Sequence, residues 1–371
     1  MRKTALLLTA AILFSLCGCW DMKEINDQAY IVGLGIDGSG DMLEFTFQKA
    51  VPAGINSAAD SNSVEYRNVA VKAETLAEAV RTAALSSSTE LNFEHLSCVL
   101  IGSEPAHSDF RQHIEYLMQR PDVRRQCVIA AASGTARSLL SSDVSGSASA
   151  SGIASMLRQT DYSNGCTVIE TLSSLSAAML SGSGFCLYAV GSGSQAEISA
   201  SDTDNALAVT GAFAYSSDGF SGTLSAGEAD LMRLFAPNQR DGMIRAEGSS
   251  GEAVFYSVER SVCRTDCIIA DDKLFYTVDV NAVCRKADEH GGSNDKIDEK
   301  ALNDALYSSL SALITRSQLE LGPAVTGLDD TARKKEHDWY SSHREEFTES
   351  YGSAVIKLKV DCRIERTGVL K

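Results

Sequence analysis

Two apolar runs constrain the chain most: residues 96–102, Leu-Ser-Cys-Val-Leu-Ile-Gly, and residues 126–132, Gln-Cys-Val-Ile-Ala-Ala-Ala. Runs this short and this apolar suit strands buried on both faces, which in turn need covering layers on each side. Between them, residues 109–119 have helix-like spacing, so the local order is strand, helix, strand. Upstream, residues 29–37 and 43–51 read as strands joined by Gly38-Ser39-Gly40-Asp41. Thr75-x-x-Glu78 offers a capping box for a helix through Leu85, with Leu76, Val80 and Ala84 on one face. Residues 168–180 read as an amphipathic helix and 185–190 as a strand. The expected fold is therefore mixed α+β, with two to three mixed-sheet domains and packed helices.

The second half repeats the alternation. Strands are expected at 208–215, 253–262 and 274–285, and a helix at 226–235. Leu302, Leu306, Leu310, Leu313 and Ile314 keep helical spacing across 298–320, and a charged helix is expected over 329–347. In the closing strand Ile356, Leu358, Val360, Cys362 and Ile364 alternate with Lys357, Lys359, Asp361, Arg363 and Glu365, giving one buried and one wet face. It is expected to pair antiparallel in the C-terminal domain. Residues 138–155 carry eight serines among glycines and read as a solvent-exposed excursion, and 286–296 as a second exposed loop. The polar stretch 191–205 is the best linker, which divides the chain into 1–18, 19–205 and 206–371.

The N-terminus bears on location. Arg2 and Lys3 precede thirteen largely apolar residues, 4–16, a length that suits an export signal and falls short of a bilayer span. Gly18 before Cys19 suits cleavage ahead of a lipid-modified cysteine, making Cys19 the expected lipid attachment site. A diacylglyceryl thioether and an amide-linked chain such as palmitate would supply two anchors, each buried methylene contributing roughly 0.8 kcal/mol. The alternative is an ordinary cleaved signal with Cys19 as a spare thiol, but no small-x-small site stands just downstream. The formal charge is −16, and −18 once Arg2 and Lys3 leave with the signal. Such acidity argues against polyanion binding and for a body held off the membrane.

Chemistry-bearing patterns are sparse. Setting aside Cys17 and Cys19, eight dispersed cysteines remain, at 98, 127, 166, 186, 263, 267, 284 and 362; their apolar settings point to buried free thiols over disulfides. Cys263 and Cys267 have no second pair at ligand spacing, so no metal site is expected. Gly33-x-Gly35-x-x-Gly38 spells a dinucleotide fingerprint, yet a strand follows it where a helix would be required. Asp202 and Asp204 resemble the start of a calcium loop that lacks its glycine and glutamate. His95 before an apolar strand reads as a capping or core histidine, and His337 and His343 as solvated side chains. No nucleophile, base and oxyanion donor assemble, so neither a catalytic residue nor a cofactor is expected.

Several segments carry a resemblance. Cys19-Trp20-Asp21 with Glu24-Ile25-Asn26, then Gly33-Leu34-Gly35-Ile36-Asp37, is one. Phe93-Glu94-His95-Leu96 running into Gly102-Ser103-Glu104 is a second, Gly211-Ala212-Phe213 with Gly222 and Glu228-Ala229 a third, and Arg366-Thr367-Gly368 the closing one. Together they resemble the Ger(x)C spore germination lipoproteins, the C subunits of nutrient germinant receptors. One departure stands at 324–332, where Val325-Thr326-Gly327-Leu328 replaces an Asp-x-x-Gly-Phe-Gly-like stretch. The resemblance implies a non-enzymatic subunit, lipid-anchored on the outer face of the spore inner membrane and working with A-type and B-type integral membrane partners. Two other classes remain: a solute-binding lipoprotein that delivers a small molecule to a transporter or receptor, which ligand-dependent melting would reveal, and a wall hydrolase, which peptidoglycan hydrolysis would reveal.

Overall fold

The structure, a computed structural model, describes residues 28–51, 65–142, 148–160, 168–169, 171–192, 207–238, 242–247, 253–286 and 299–365. The signal and Cys19, residues 20–26, most of the 191–205 linker, Cys166, Asp202, Asp204, the 287–298 stretch and Arg366-Thr367-Gly368 lie outside the described residues.

The first half builds a sheet with a parallel centre and antiparallel wings. β1 (Gln28–Asp37), β2 (Leu43–Val51) and β3 (Glu65–Ala73) form one wing, antiparallel in succession. The chain then runs through α1 (Leu76–Leu85), β4 (Glu90–Asn92), β5 (Cys98–Ile101), α2 (Ser103–Ala106), α3 (Arg111–Gln119), β6 (Val128–Ala132) and α4 (Ala136–Leu140). After α5 (Ser149–Thr160), β7 (Val168–Ile169), α6 (Leu172–Ser181) and β8 (Phe185–Ser192), strands β9 (Leu207–Ser216) and β10 (Gly219–Ser225) close the opposite wing. The order is β10-β9-β8-β6-β5-β1-β2-β3, with β1, β5, β6 and β8 parallel, β4 beside β1 and β7 beside β8. Position 205 falls between β8 and β9, which are hydrogen-bonded neighbours, so this sheet draws strands from both sides of it.

Both faces are covered, which is why β5 and β6 are apolar throughout. Cys98, Leu100, Val128 and Ala130 meet Leu140, Ile153 and Leu157 of α4 and α5, while Val99, Ile101, Ile129 and Ala131 meet Leu76, Ile114 and Leu172 from α1, α3 and α6. At roughly 1.5–3 kcal/mol for each large side chain, this burial dominates the sheet's stability.

The second sheet follows α7 (Ala226–Arg233). β11 (Met243–Glu247), β12 (Ala253–Ala270) and β13 (Lys273–Lys286) are antiparallel. Asp271 and Asp272, at φ 48° and 58°, make the two-residue turn of the long β12–β13 hairpin, a left-handed pairing that suits the strand twist. α8 (Glu299–Arg316) lays Leu302, Leu306, Leu310 and Leu313 on the sheet, as the leucine spacing predicts. A π-helical turn (Ser317–Leu321) and α9 (Leu328–Lys335), α10 (His337–Ser342) and α11 (Phe347–Gly352) lead to β14 (Val355–Ile364). One apolar cluster runs from the α4–α5 face of the first sheet into the inner face of the second.

Five expectations change. The closing strand pairs parallel to β13, not antiparallel, because α8 to α11 carry the chain back to the same end of the sheet before β14 starts. Its inward and outward alternation holds. Much of 138–155 is not a solvent-exposed excursion: Ala148, Ala150, Ile153 and Ala154 are buried, and the small residues permit close helix-to-strand approach. The buried face of α1 is Leu76, Ala79 and Ala83, with Ala84 exposed. The 168–180 helix starts only at Leu172, where Thr171 and Ser174 form a capping box. The 329–347 helix is three short ones; its breaks let Tyr340 and Phe347 pack together at 4.7 Å while Trp339 reaches Asp272.

Candidate functional site

Gly33, Gly35 and Asp37 of the first motif converge on one buried joint. β1 turns Gly33 and Gly35 toward α4 and α5: a Cβ on Gly33 would lie 2.5 Å from Ala150 Cβ, and one on Gly35 3.0 Å from Ala136 Cβ. No larger residue fits at Gly33 without separating helix from strand. Beside it Gln48 brackets the same segment, donating from Nε2 to the Leu140 carbonyl at 2.7 Å and accepting from the Ala150 N–H at 3.1 Å.

Asp37 ends the motif, and its role is structural. Its Oδ1 accepts from the Ala136 N–H at 2.7 Å and its Oδ2 from the Arg137 N–H at 2.8 Å, satisfying the otherwise orphaned donors at the start of α4. Burial pushes the Asp37 carboxyl above its ordinary value, against the pull of those two N–H groups. Gly102 makes room for it: a Cβ there would be 2.2 Å from Asp37 Oδ1, and the Gly102 N–H donates to the Ile36 carbonyl at 2.8 Å. The glycines thus serve a packing joint, and β1 passes through the turn at 38–42 into β2 with no intervening helix.

The second motif is a clamp. Phe93 and Leu96 are buried, and the Phe93 N–H donates to Asp122 Oδ2 at 3.2 Å. Arg120 grips Asp122 in a fork, at 2.9 and 2.7 Å, while its guanidinium lies 4.4 Å from the Phe93 ring centre. Burial pushes the Asp122 carboxyl up, but the Arg120 bonds outweigh it and hold the group below its ordinary value. His95 is exposed and set edge-on to Tyr30 at 5.1 Å, so it neither caps nor enters the core.

The third motif ties the two sheets. Ser225 and Glu228 form a capping box at α7, and Glu228 Oε1 meets Arg316 Nη1 of α8 at 2.5 Å. Arg316 Nη2 also donates to the Thr223 carbonyl of β10 at 2.9 Å. Sequence reading names Glu228 but misses Arg316, whose position at the end of a leucine-spaced helix carries no signal of its partner.

The remaining candidates assemble no site, although Cys284 and Cys362 are neighbours on β13 and β14. Cys98, Cys127, Cys186, Cys263, Cys267, Cys284 and Cys362 are buried and in no disulfide, and burial pushes Cys127 and Cys263 up to about 12. His343 lies past the end of α10, stacked on Trp339 at 4.3 Å, while His337 is exposed. Among the described residues no three His, Cys, Asp or Glu side chains gather as a metal site would require. A cleft of ≈ 380 Å³ is lined by Asp41, Glu74, Asp109 and His113, none of them a candidate site residue in the sequence. His113 is buried against Phe45, and burial lowers its pKa.

Comparison with known proteins shows the family. Residues 21–190 match the family described as spore germination protein N-terminal domain, and residues 210–368 match the spore germination B3/GerAC-like C-terminal family. The chain belongs to the Ger(x)C family. Spore germination protein B3 of Bacillus subtilis (strain 168) is 30% identical over 127 residues, 34% of this chain and 33% of that protein. Spore germination protein YndF of the same organism is 19% identical over 409 aligned positions, covering 99% and 97% of the two chains. The best-scoring stretches thus span about a third of the curated relatives' length. Among solved structures, the crystal structure of the GerBC protein superposes with a TM-score of 0.57 at 16% identity, covering 93% of this chain and all of that one. The likeness is of fold. In this Ger(x)C chain the departure at 324–332 is accommodated locally: Val325 and Leu328 are fully buried, and Gly327, at φ 66°, starts α9.

Proposed function

We propose that this chain is the lipid-anchored C subunit of a spore nutrient-germinant receptor, required for nutrient-triggered germination and acting by protein contacts. The observation that carries the reading is the match of both family domains along the chain, 21–190 and 210–368, directly behind a lipobox-like Leu16-Cys17-Gly18-Cys19. Cys19 would bear the acyl chains and hold the body on the outer face of the spore inner membrane. No helix of the described residues is long and apolar enough to cross a membrane, so tethering through Cys19 would supply the attachment. Confinement to that surface raises the effective concentration near an A-type and a B-type integral subunit, so modest interface affinities suffice.

The geometry supports work by contact. The motif residues serve internal packing: Gly33, Asp37 and Gly102 fix α4 and α5 to β1, Arg120 and Asp122 fix Phe93, and Glu228 pairs with Arg316 between α7 and α8. Deleting the gene in the parent spore-former and following germination across a nutrient panel tests the proposal. Loss of response to particular nutrients, restored by the intact gene, is the expected result; unchanged germination to every nutrient in a strain with no second receptor would contradict it.

A further inference from the structure

The second sheet has one covered face and one open face, and the open one collects unspent positive charge. Register across β12, β13 and β14 places Arg260, Val283 and Arg363 in one row, Arg264, Asp279 and Lys359 in another, and Asp266, Thr277 and Lys357 in a third. All of these are exposed or half-buried, whereas their alternates Cys263, Val278, Val280 and Cys362 are buried under α8 and α9. A bulge between Val258 and Arg260 shifts the phase along β12, so that the buried set passes from Tyr256 and Val258 to Ser261 and Cys263.

Ion pairing leaves the balance positive. Glu259 is paired with Arg285 at 3.5 Å, Asp361 with Arg363 at 3.6 Å and Asp266 with Lys335 at 3.1 Å. Arg260, Arg264, Lys357 and Lys359 form no ion pair among the described residues, and Asp279 is the remaining carboxylate of these rows. One end of the face is an apolar row, Ile268, Phe275 and Val355, with Ile268 58% and Val355 52% exposed. The chain as a whole carries −16, so this face runs against the charge of the molecule.

We infer that the open face of the β12–β13–β14 sheet docks on the anionic phospholipid headgroup layer of the membrane to which the protein is tethered. The inference rests on the proposed Cys19 anchor. A strongly acidic body tethered beside an anionic surface is repelled in most orientations; turning four unpaired cations toward the headgroups is the orientation that is attracted. A broad, open face of alternating side chains suits a headgroup layer, which offers charge and no fixed shape. The apolar row supplies side chains for the shallow interfacial zone. Docking would fix which surfaces remain free for integral partners.

The full-length lipidated chain, carrying Thr277→Cys labelled with an environment-sensitive dye, would be reconstituted on phosphatidylcholine vesicles with and without phosphatidylglycerol. Cosedimentation with the neutral vesicles reports the tether alone, so its failure would count against the anchor and not the face. On anionic vesicles the dye should report a less polar setting, return to its aqueous signal at about 0.5 M salt, and respond about fivefold less in Lys357→Glu/Lys359→Glu. Unchanged melting of that variant would show that the fold is intact. A dye that stays aqueous on anionic vesicles overturns the assignment. So does a response on neutral vesicles that needs co-reconstituted integral subunits, which gives the face to a protein, or a response that rises with protein concentration without vesicles, which gives it to a second copy.

Discussion

Gly102→Ala should be among the most destabilising small substitutions in the chain, and the cost can be worked from the joint. The added methyl would sit 2.2 Å from Asp37 Oδ1, where non-bonded heavy atoms prefer roughly 3.5 Å. Moving the carboxylate by roughly 1 Å lengthens its bonds to the Ala136 and Arg137 N–H groups, now 2.7 and 2.8 Å, past the hydrogen-bond limit. Bonds to a buried charge contribute about 1.5–3 kcal/mol each. Loss of both therefore costs about 3–6 kcal/mol, a large share of a typical 5–15 kcal/mol domain stability. Urea unfolding followed by circular dichroism measures the total, and hydrogen exchange at Ala136 and Arg137 locates it. The sharper check is a double-mutant cycle: an Asp37→Ala background removes the closest contact and leaves the Ile36 carbonyl at 3.0 Å, so the second substitution should cost at least about 1–2 kcal/mol less than it does alone. Gly102→Ala within about 0.5 kcal/mol of the parent, or strict additivity in the cycle, would refute the joint.

Other expectations follow from the same contacts. Asp329 is buried at the start of α9, and desolvation pushes its carboxyl up to about 6 from 3.8. The folded state therefore holds this proton where the unfolded chain has released it: the group's contribution is full below about pH 4 and is lost as pH rises through about 6. Asp329→Asn should stabilise the protein at pH 7.5 by up to about 3 kcal/mol and hardly at all at pH 4, read by melting at both values; equal effects at both would contradict the burial argument. Tyr351→Phe removes a hydroxyl bonded to Ser317 at 2.7 Å and Thr326 at 2.9 Å, and should cost about 1–3 kcal/mol in denaturant titration. A thiol reagent applied to the native chain should label none of the seven described cysteines before unfolding, and rapid labelling of any would show an opening that the packing does not contain.

What could be read from the sequence was whatever has a local physical cause. The apolar runs at 98–101 and 128–132 specify strands covered on both faces, and the leucine spacing of α8 specifies its buried stripe. Pairing direction was not legible, because β14 alternates in the same way beside a parallel or an antiparallel neighbour, and only the long crossover decides. The serine-rich stretch misled for a related reason: small side chains serve a loop and a tight helix-to-strand contact equally well, and the partner Gly33 lies more than a hundred residues away. The motif residues could be named from sequence, but their work could not. Asp37 closes a motif whose work shows only once its two backbone donors are seen, and the cations of the open face vanish in a net charge of −16 until register sets them in rows.

The most direct test of a tethered germinant-receptor subunit compares spores carrying the parent protein with Cys19→Ala spores, following the protein in membrane fractions and germination on a nutrient panel. The variant is expected to leave the membrane fraction, with germination failing for particular nutrients. A variant that leaves the membrane while germination stays normal would contradict the tethered-subunit reading.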